Sequence, residues 1–235
     1  MMRAWKRNDD DGSSNWREIF PMDNTLYNDR EFRTLEEFIK IIGQMVATRT
    51  PILIGIDGLA GSGKTTFCLN LKEQLTKIGL TAVTFRFDDW WQGSPESDAS
   101  RFQGGRQTVG DDYRWKEFRQ AVLEPLREGQ MPSTSKKQGV ENPSAASVVI
   151  VEGVTSIRRE LRDLYDFCLF VMDSRVGSIE RAIERDGNEA RNWYQNYWKH
   201  EEDLYLKLHT PHLSADLIVS HSCNGHDYRF QMRNS

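Results

Sequence analysis

Apolar residues recur at steps of three and four through Leu35, Phe38, Ile39, Ile42 and Val46, the spacing of an amphipathic helix that ends near Thr50 and Pro51. Beyond it, compact apolar runs alternate with helix-like stretches. The runs at 52–57, 82–87, 148–152, 167–172 and 217–219 are expected to be strands. Between and after them the pattern predicts helices over 64–78, 115–128, 158–164, 177–186 and 189–208, with Gly79 and Gly129 closing two of them. Strands this short and apolar are buried on both faces, and regular alternation with helices describes a parallel sheet between two helical layers. The expected class is α/β: a three-layer fold with a five-stranded parallel sheet flanked by helices. Ligands of such sheets sit beyond the carboxyl ends of the strands, so candidate chemistry should lie directly after the strands.

Three segments fall outside this rhythm. Residues 1–34, rich in Asp, Asn, Ser and Gly, are expected to be a mobile extension, with Trp16, Ile19 and Phe20 able to dock on a single domain spanning 35–235. Residues 90–110, with Gly93, Gly104 and Gly105, are expected to be a mobile loop on the substrate side. A polar segment at 130–146 leads into the strand at 148–152.

Directly after the strand at 52–57, residues 58–65 read GLAGSGKT, the form G-x-x-x-x-G-K-[ST], and a helix-like stretch comes next. Strand, Gly-rich loop and helix together describe a phosphate cradle, because the glycines let successive backbone N–H groups point at one anion while the helix N-terminus adds its dipole. Gly58, Ala60, Gly61, Ser62, Gly63, Lys64, Thr65 and Thr66 are thus the candidate nucleotide-binding residues. Lys64 reaches the β- and γ-phosphates and the Thr65 hydroxyl is placed for Mg²⁺. The expected fold is accordingly of the P-loop NTPase type.

Composition narrows the partners. The net charge of −4, without a long run of Lys or Arg, gives no footprint for nucleic acid or an anionic membrane surface. Cys68, Cys168 and Cys223 show neither metal-ligand nor C-x-x-C spacing, which suits a reducing compartment. No apolar run is long enough to span a bilayer and the first residues lack a secretory h-region, so a cytoplasmic location is expected, with room for a homo-oligomer.

Acids stand where a phosphate-bound metal or a reacting hydroxyl would be met. Asp88 and Asp89 come after the second strand and Glu152 ends the third. In phosphoryl transfer one carboxylate takes the proton of the attacking hydroxyl while another orients Mg²⁺. Asp88 is assigned the base role and Glu152 the metal side with Thr65; neighbours on an extended chain point to opposite sides, so Asp89 stays open as the alternative. Capping or turn formation is the competing role for the Asp pair. Arg181 and Arg185, four apart on one helix face, can stabilise charge on a transferring phosphoryl group, and Arg191 could join them; Glu180, Glu184 and Asp186 offer them ordinary surface pairing instead. Arg158, closest to the Glu152 strand among Arg158, Arg159 and Arg162, is a candidate for substrate. Trp90 and Trp91 either wall the acceptor pocket or pack the loop, whereas the stripe Tyr194, Tyr197, Trp198, Glu201 and Tyr205 reads as core.

Taken in order, GIDGLAGSGKTTF, FDDWW, VLEPLREG, VIVEGV, ERDG and the late Ala215-Asp216 resemble the uridine kinase-like family of P-loop kinases over about residues 35–219. Glu152-Gly153-Val154 with Arg158, Arg159 and Leu161, and then Trp193, Trp198 and Glu201, is similar to a bacterial branch. The resemblance implies that Asp88 is the general base, with Trp90 and Trp91 in the aromatic places of that element, and that Arg181 and Arg185 belong to a lid over ATP. An acid that grips ribose hydroxyls would correspond to Asp111 or Asp112. The Tyr-Asp-Phe element of uridine-specific members is absent from residues 135–144. The resemblance therefore leads to an expected ATP- and Mg²⁺-dependent kinase acting on a small-molecule hydroxyl, a nucleoside such as uridine or cytidine first. Other acceptors, such as a vitamin precursor, sugar or natural product, and a regulatory nucleotide switch, are the alternatives. A GTP switch lacks its [NT]-K-x-D element here.

Overall fold

The computed structural model describes residues 27–93, 112–133, 143–173, 175–221 and 228–233. Strand β1 (Tyr27–Arg33) leads into helix α1 (Leu35–Val46), whose start is closed by a reciprocal pair: Thr34 Oγ1 accepts the Glu37 N–H at 3.2 Å and the Glu37 carboxylate accepts the Thr34 N–H at 2.8 Å. Next come β2 (Ile52–Gly58), α2 (Lys64–Lys77), β3 (Ala82–Arg86) and a tight turn of helix at Phe87–Trp90. Helix α3 runs through Trp115–Phe118, Arg119–Leu123 and Glu124–Arg127, its middle segment wound more loosely. After β4 (Val148–Glu152) and β5 (Phe167–Met172) come α4 (Arg175–Asp186) and α5, which joins Arg191–Trp193, Tyr194–Trp198 and Lys199–His209. The short α6 (Pro211–Ser214), β6 (Leu217–His221) and β7 (Tyr228–Arg233) complete the described chain.

Seven strands form one sheet in the order β1-β7-β6-β5-β2-β4-β3. The five expected strands are its parallel part. The two additional strands extend it antiparallel at the β6 edge, so the last residues of the expected 1–34 extension belong to the sheet. Alternate residues of the parallel strands feed two separate cores. Ile52, Ile54, Ile56, Val148, Ile150, Leu169 and Val171 pack under α1 and α2 against Phe38, Ile42, Phe67, Leu71 and Leu75. Leu53, Val149, Val151 and Phe170 face the other layer, with Phe118, Val122 and Leu126 of α3. Burying each such side chain contributes about 1.5–3 kcal/mol, which is why both helical layers hold to the sheet.

Register sets up the site. Ile56 of β2 and Arg86 of β3 both lie level with Glu152 of β4, so the carboxyl ends of three adjacent strands reach one edge together. One expected helix differs: within 158–164 only a single helical turn at Arg162–Leu164 forms. Within that segment the bonds are mostly of the tighter three-residue kind, Leu161 N–H to the Arg158 carbonyl and Leu164 N–H to the Leu161 carbonyl. Just before it the buried Asp57 carboxylate takes the Thr155 and Ile157 N–H groups, and Thr155 is held at φ 65°, outside the helical region. Residues 94–111, which hold most of the expected substrate loop, and residues 134–142 lie outside the described residues.

Candidate active site

The loop between β2 and α2 wraps as its sequence requires. Gly61 takes φ 70°, and a Cβ there would fall 1.9 Å from the Ser178 carbonyl oxygen of α4, so only glycine allows the two segments to meet. Lys64 is buried, and its Nζ donates to the Gly58 and Leu59 carbonyls at 3.0 and 2.9 Å, which folds the ammonium back over the first half of the loop. Thr65 Oγ1 donates to Glu152 Oε2 at 3.3 Å. That contact joins the hydroxyl and carboxylate expected on the metal side, across 87 residues of chain.

Asp57, the strand residue just before the loop, organises the whole edge and was not among the sequence candidates. Its Oδ1 accepts the N–H groups of Gly58 (2.6 Å) and Thr155 (3.1 Å); its Oδ2 accepts the Ile157 N–H (3.0 Å) and the Tyr205 hydroxyl (2.6 Å). Complete burial pushes this carboxyl up to about 6, against the pull of these donors and of Lys64. Glu202 is the second residue missed: it is buried, and its Oε1 accepts the Ala60 N–H at 2.6 Å and the Trp198 indole N–H at 3.1 Å. The available signals were an acid closing an apolar run, and a Trp198–Glu202–Tyr205 stripe at helical steps of four and three. The neighbour named by the resemblance, Glu201, is only half-buried.

Of the paired acids, Asp88 faces the site. Its Oδ1 accepts the Val154 N–H at 3.1 Å and the Tyr113 hydroxyl at 3.4 Å, while Tyr113 stacks flat on Phe87 at 5.0 Å. Asp89 is exposed and its nearest cation is Arg86, at 3.9 Å. Gly153 makes the approach of Asp88 to β4 possible: a Cβ there would lie 2.8 Å from Asp88 Oδ1. Burial, then the charge of Asp88, pushes the Glu152 carboxyl above its ordinary range, with Lys64 and Arg86 pulling it down. The two like charges at this edge face Lys64 and, 3.8 Å from Glu152, Arg86, the electrostatic setting in which a polyphosphate with its metal is accommodated.

The arginines separate. Arg181 reaches the loop, its Nε donating to the Gly61 carbonyl at 3.0 Å while its other end meets Asp173 and the Ser178 hydroxyl. Arg185 is turned to Asp186, at 2.6 and 2.7 Å, and to the Tyr194 hydroxyl at 3.2 Å, and Arg191 pairs with Glu180 at 3.0 Å. Arg158 is buried, stacked 4.6 Å over the Trp115 ring and bonded to Glu160 at 2.9 Å. That packing, rather than an open guanidinium, is what the structure gives for this substrate candidate. Trp90 is core, edge-on to Phe118 at 5.3 Å; Trp91 is half-buried and lies 6.3 Å from Trp193. Asp112 is buried, its carbonyl accepting the Gln92 N–H at 2.8 Å, and Asp111 lies outside the described residues. Of the aromatic stripe, Tyr194 and Tyr205 are buried while Tyr197, Trp198 and Glu201 are half-buried, so only its two ends are core.

Among the described residues, no group of three His, Cys, Asp or Glu side chains could hold a metal by itself. Mg²⁺ does not need one: it takes one or two protein oxygens and completes its shell with phosphate and water, and the Thr65–Glu152 pair fits that demand. Also among the described residues, no helix is long and apolar enough to cross a membrane.

A family model described as the KAP family P-loop domain matches residues 33–202. A uridine kinase of Leuconostoc citreum is 27% identical over 175 residues, covering 68% of this chain and 82% of that protein. Uridine kinase-like protein 5 of Arabidopsis thaliana is 26% identical over 185 residues, 73% of this chain, and the chain spans 39% of its length. Among solved structures, a candidate fructose transport system kinase from Silicibacter sp. TM1040 shares the fold with a TM-score of 0.55 at 17% identity, over 79% of this chain and 98% of that one. With its phosphate loop, Thr65–Glu152 pair and Asp88 on one edge of a parallel sheet, the chain belongs to the KAP family of P-loop domains, and it is similar to curated uridine kinases.

Proposed function

We propose that the protein is an ATP- and Mg²⁺-dependent kinase that transfers the γ-phosphoryl group to a hydroxyl of a small metabolite, with a nucleoside such as uridine or cytidine the first acceptor to test. The observation that carries this reading is the meeting of Lys64, Thr65–Glu152 and Asp88 at the carboxyl ends of β2, β4 and β3. The loop amides and Lys64 bind and orient the phosphates. Asp88, its Oδ1 fixed by Val154 N–H and Tyr113, takes the proton of the attacking hydroxyl. Mg²⁺ held by Thr65 and Glu152 would neutralise charge on the phosphates. Arg181, anchored on the Gly61 carbonyl, is the arginine best placed to meet the transferring group. Positioning and charge stabilisation supply most of the acceleration. In this reading the enzyme works in the cytoplasm, without a nucleic-acid or membrane partner.

One observation favours a second acceptor class. The Tyr-Asp-Phe element is absent from residues 135–144, the segment after the 115–128 helix where the resemblance would place it, and Trp90 and Arg158 are spent on packing, so the features expected to hold a pyrimidine nucleoside are thin. A coupled ADP-release screen over nucleosides, sugars and cofactor precursors distinguishes the readings. Acceleration by a nucleoside supports the first, and acceleration by another hydroxyl compound supports the second. Slow hydrolysis that nothing accelerates would instead mark a nucleotide switch.

A further inference from the structure

The middle of the phosphate loop is gripped from two sides. On one, Arg181 Nε of α4 donates to the Gly61 carbonyl and the Ser178 carbonyl crowds Gly61. On the other, Glu202 of α5, 2% exposed, accepts the Ala60 N–H at 2.6 Å. A carboxylate bonded to a loop amide conflicts with an anion cradle, because the amide is spent on a negative charge and that charge repels the anion the loop is built to hold. The conflict lies at one end of the cradle. Lys64, the residue that reaches the β- and γ-phosphates, lays its ammonium on the Gly58 and Leu59 carbonyls, immediately beside Ala60. The Gly63–Thr65 amides lie at the other end, at the start of α2. Burial first, then the charges of Asp88, Asp57 and, least, Glu202, push up the Tyr113 hydroxyl that donates to Asp88.

We propose that Glu202 is a positioning residue that separates triphosphate from diphosphate: its carboxylate and the terminal phosphate of a bound nucleotide compete for the Ala60 N–H. The inference rests on the kinase reading of the same site. A diphosphate ends short of Ala60 and leaves the bond to Glu202 intact. A triphosphate must take the amide over or face the carboxylate, so Glu202 weakens triphosphate binding selectively.

Glu202→Gln keeps an oxygen for Ala60 N–H and removes the charge, so the test is calorimetric titration of both proteins, with Mg²⁺, using ADP and a non-hydrolysable ATP analogue. The expected result is that the analogue binds the variant roughly tenfold more tightly while ADP affinity stays within about twofold. An equal change for both nucleotides, or no change for either, overturns the proposal, since a merely structural Glu202 would act on the loop whatever the length of the phosphate chain. A second readout uses the unmodified protein and needs no variant to fold: the backbone amide resonance of Ala60 should move with the ATP analogue and hold with ADP. Equal movement with both, or none, overturns the proposal. Failure of both nucleotides to bind the unmodified protein and the variant overturns the kinase reading and the inference together; binding without dependence on Glu202 overturns the inference alone.

Discussion

Replacing Gly61 by Ala should disable the site while sparing the fold, and Gly79→Ala supplies the matched control. Both glycines have positive φ, 70° and 80°, so each alanine carries a left-handed strain of about 1–2 kcal/mol. The surroundings differ. A Cβ at Gly79 meets nothing within 4 Å, whereas at Gly61 it lands 1.9 Å from the Ser178 carbonyl oxygen and 3.1 Å from the Ala182 nitrogen, both in the backbone of α4. Relieving that overlap needs a movement of more than about 1 Å, in either the loop or the helix, and backbone cannot rotate away as a side chain can. Any such movement breaks the Arg181–Gly61 bond and displaces the amides that face phosphate. Misplacement of this size costs on the order of a hundredfold in rate. Gly61→Ala should therefore lose about two decades or more of ATP-dependent turnover and most of its ATP affinity. Gly79→Ala should lose only a few degrees of melting temperature and keep both. Calorimetric ATP binding, initial rates of ADP release and thermal melting on the two variants make the comparison. If the two variants bind and turn over alike, the close packing of α4 on the loop is refuted as a requirement for function.

Lys64→Ala should abolish turnover with the far-ultraviolet circular dichroism of the parent, because the ammonium bonds loop carbonyls rather than core; near-normal activity in that variant would end the assignment of the phosphate site. Stability should fall on mild acidification. Burial, joined by Arg158 for His209, pushes both His209 and His212 from 6.5 down to about 4. The stability of their neutral forms is complete above about pH 6.5 and is lost as pH falls toward 4. Asp57 acts the other way: raised to about 6 from 3.8, it contributes most below 3.8 and loses that contribution as pH rises through 6. With two imidazoles against Asp57 and the less strongly raised Glu152, urea midpoints should drop between about pH 7 and 5. His212→Phe, beside Phe170, should make the drop shallower, and an equally steep loss in that variant would contradict the assignment.

What could be read from the chain was what neighbouring residues determine. The β2–loop–α2 unit and the buried β4 carry their signals within a dozen residues, and the register of parallel strands then brings Glu152 and Asp88 to the loop. What could not be read depends on distant partners. The β1–β7 pair joins residues some two hundred apart, and YNDREFR offers few apolar positions to mark a strand. Asp57 and Glu202 gain their roles from Tyr205 and Ala60, 148 and 142 residues away. The choice between Asp88 and Asp89 was argued from extended chain, whereas Phe87–Trp90 is a turn of helix, so alternation was the wrong period although Asp88 is the residue that faces Gly153 and Val154. Arg181 and Arg185 share a helix face to within about 40°, as four residues at about 100° each imply, and local partners divided them: Asp186 and Tyr194 hold Arg185 away from the loop.

Phosphoryl transfer through Asp88 is tested most directly by acceptor-dependent ADP release, measured on the unmodified protein, on Asp88→Asn and on Asp89→Asn, with ATP and Mg²⁺, across nucleosides, sugars and cofactor precursors. At least one hydroxyl compound should accelerate release. Asp88→Asn should lose that acceleration by at least about a hundredfold while keeping ATP affinity, and Asp89→Asn should keep it. Release that no compound accelerates, or loss in Asp89→Asn with Asp88→Asn active, would contradict the assignment of Asp88 as the base of a kinase.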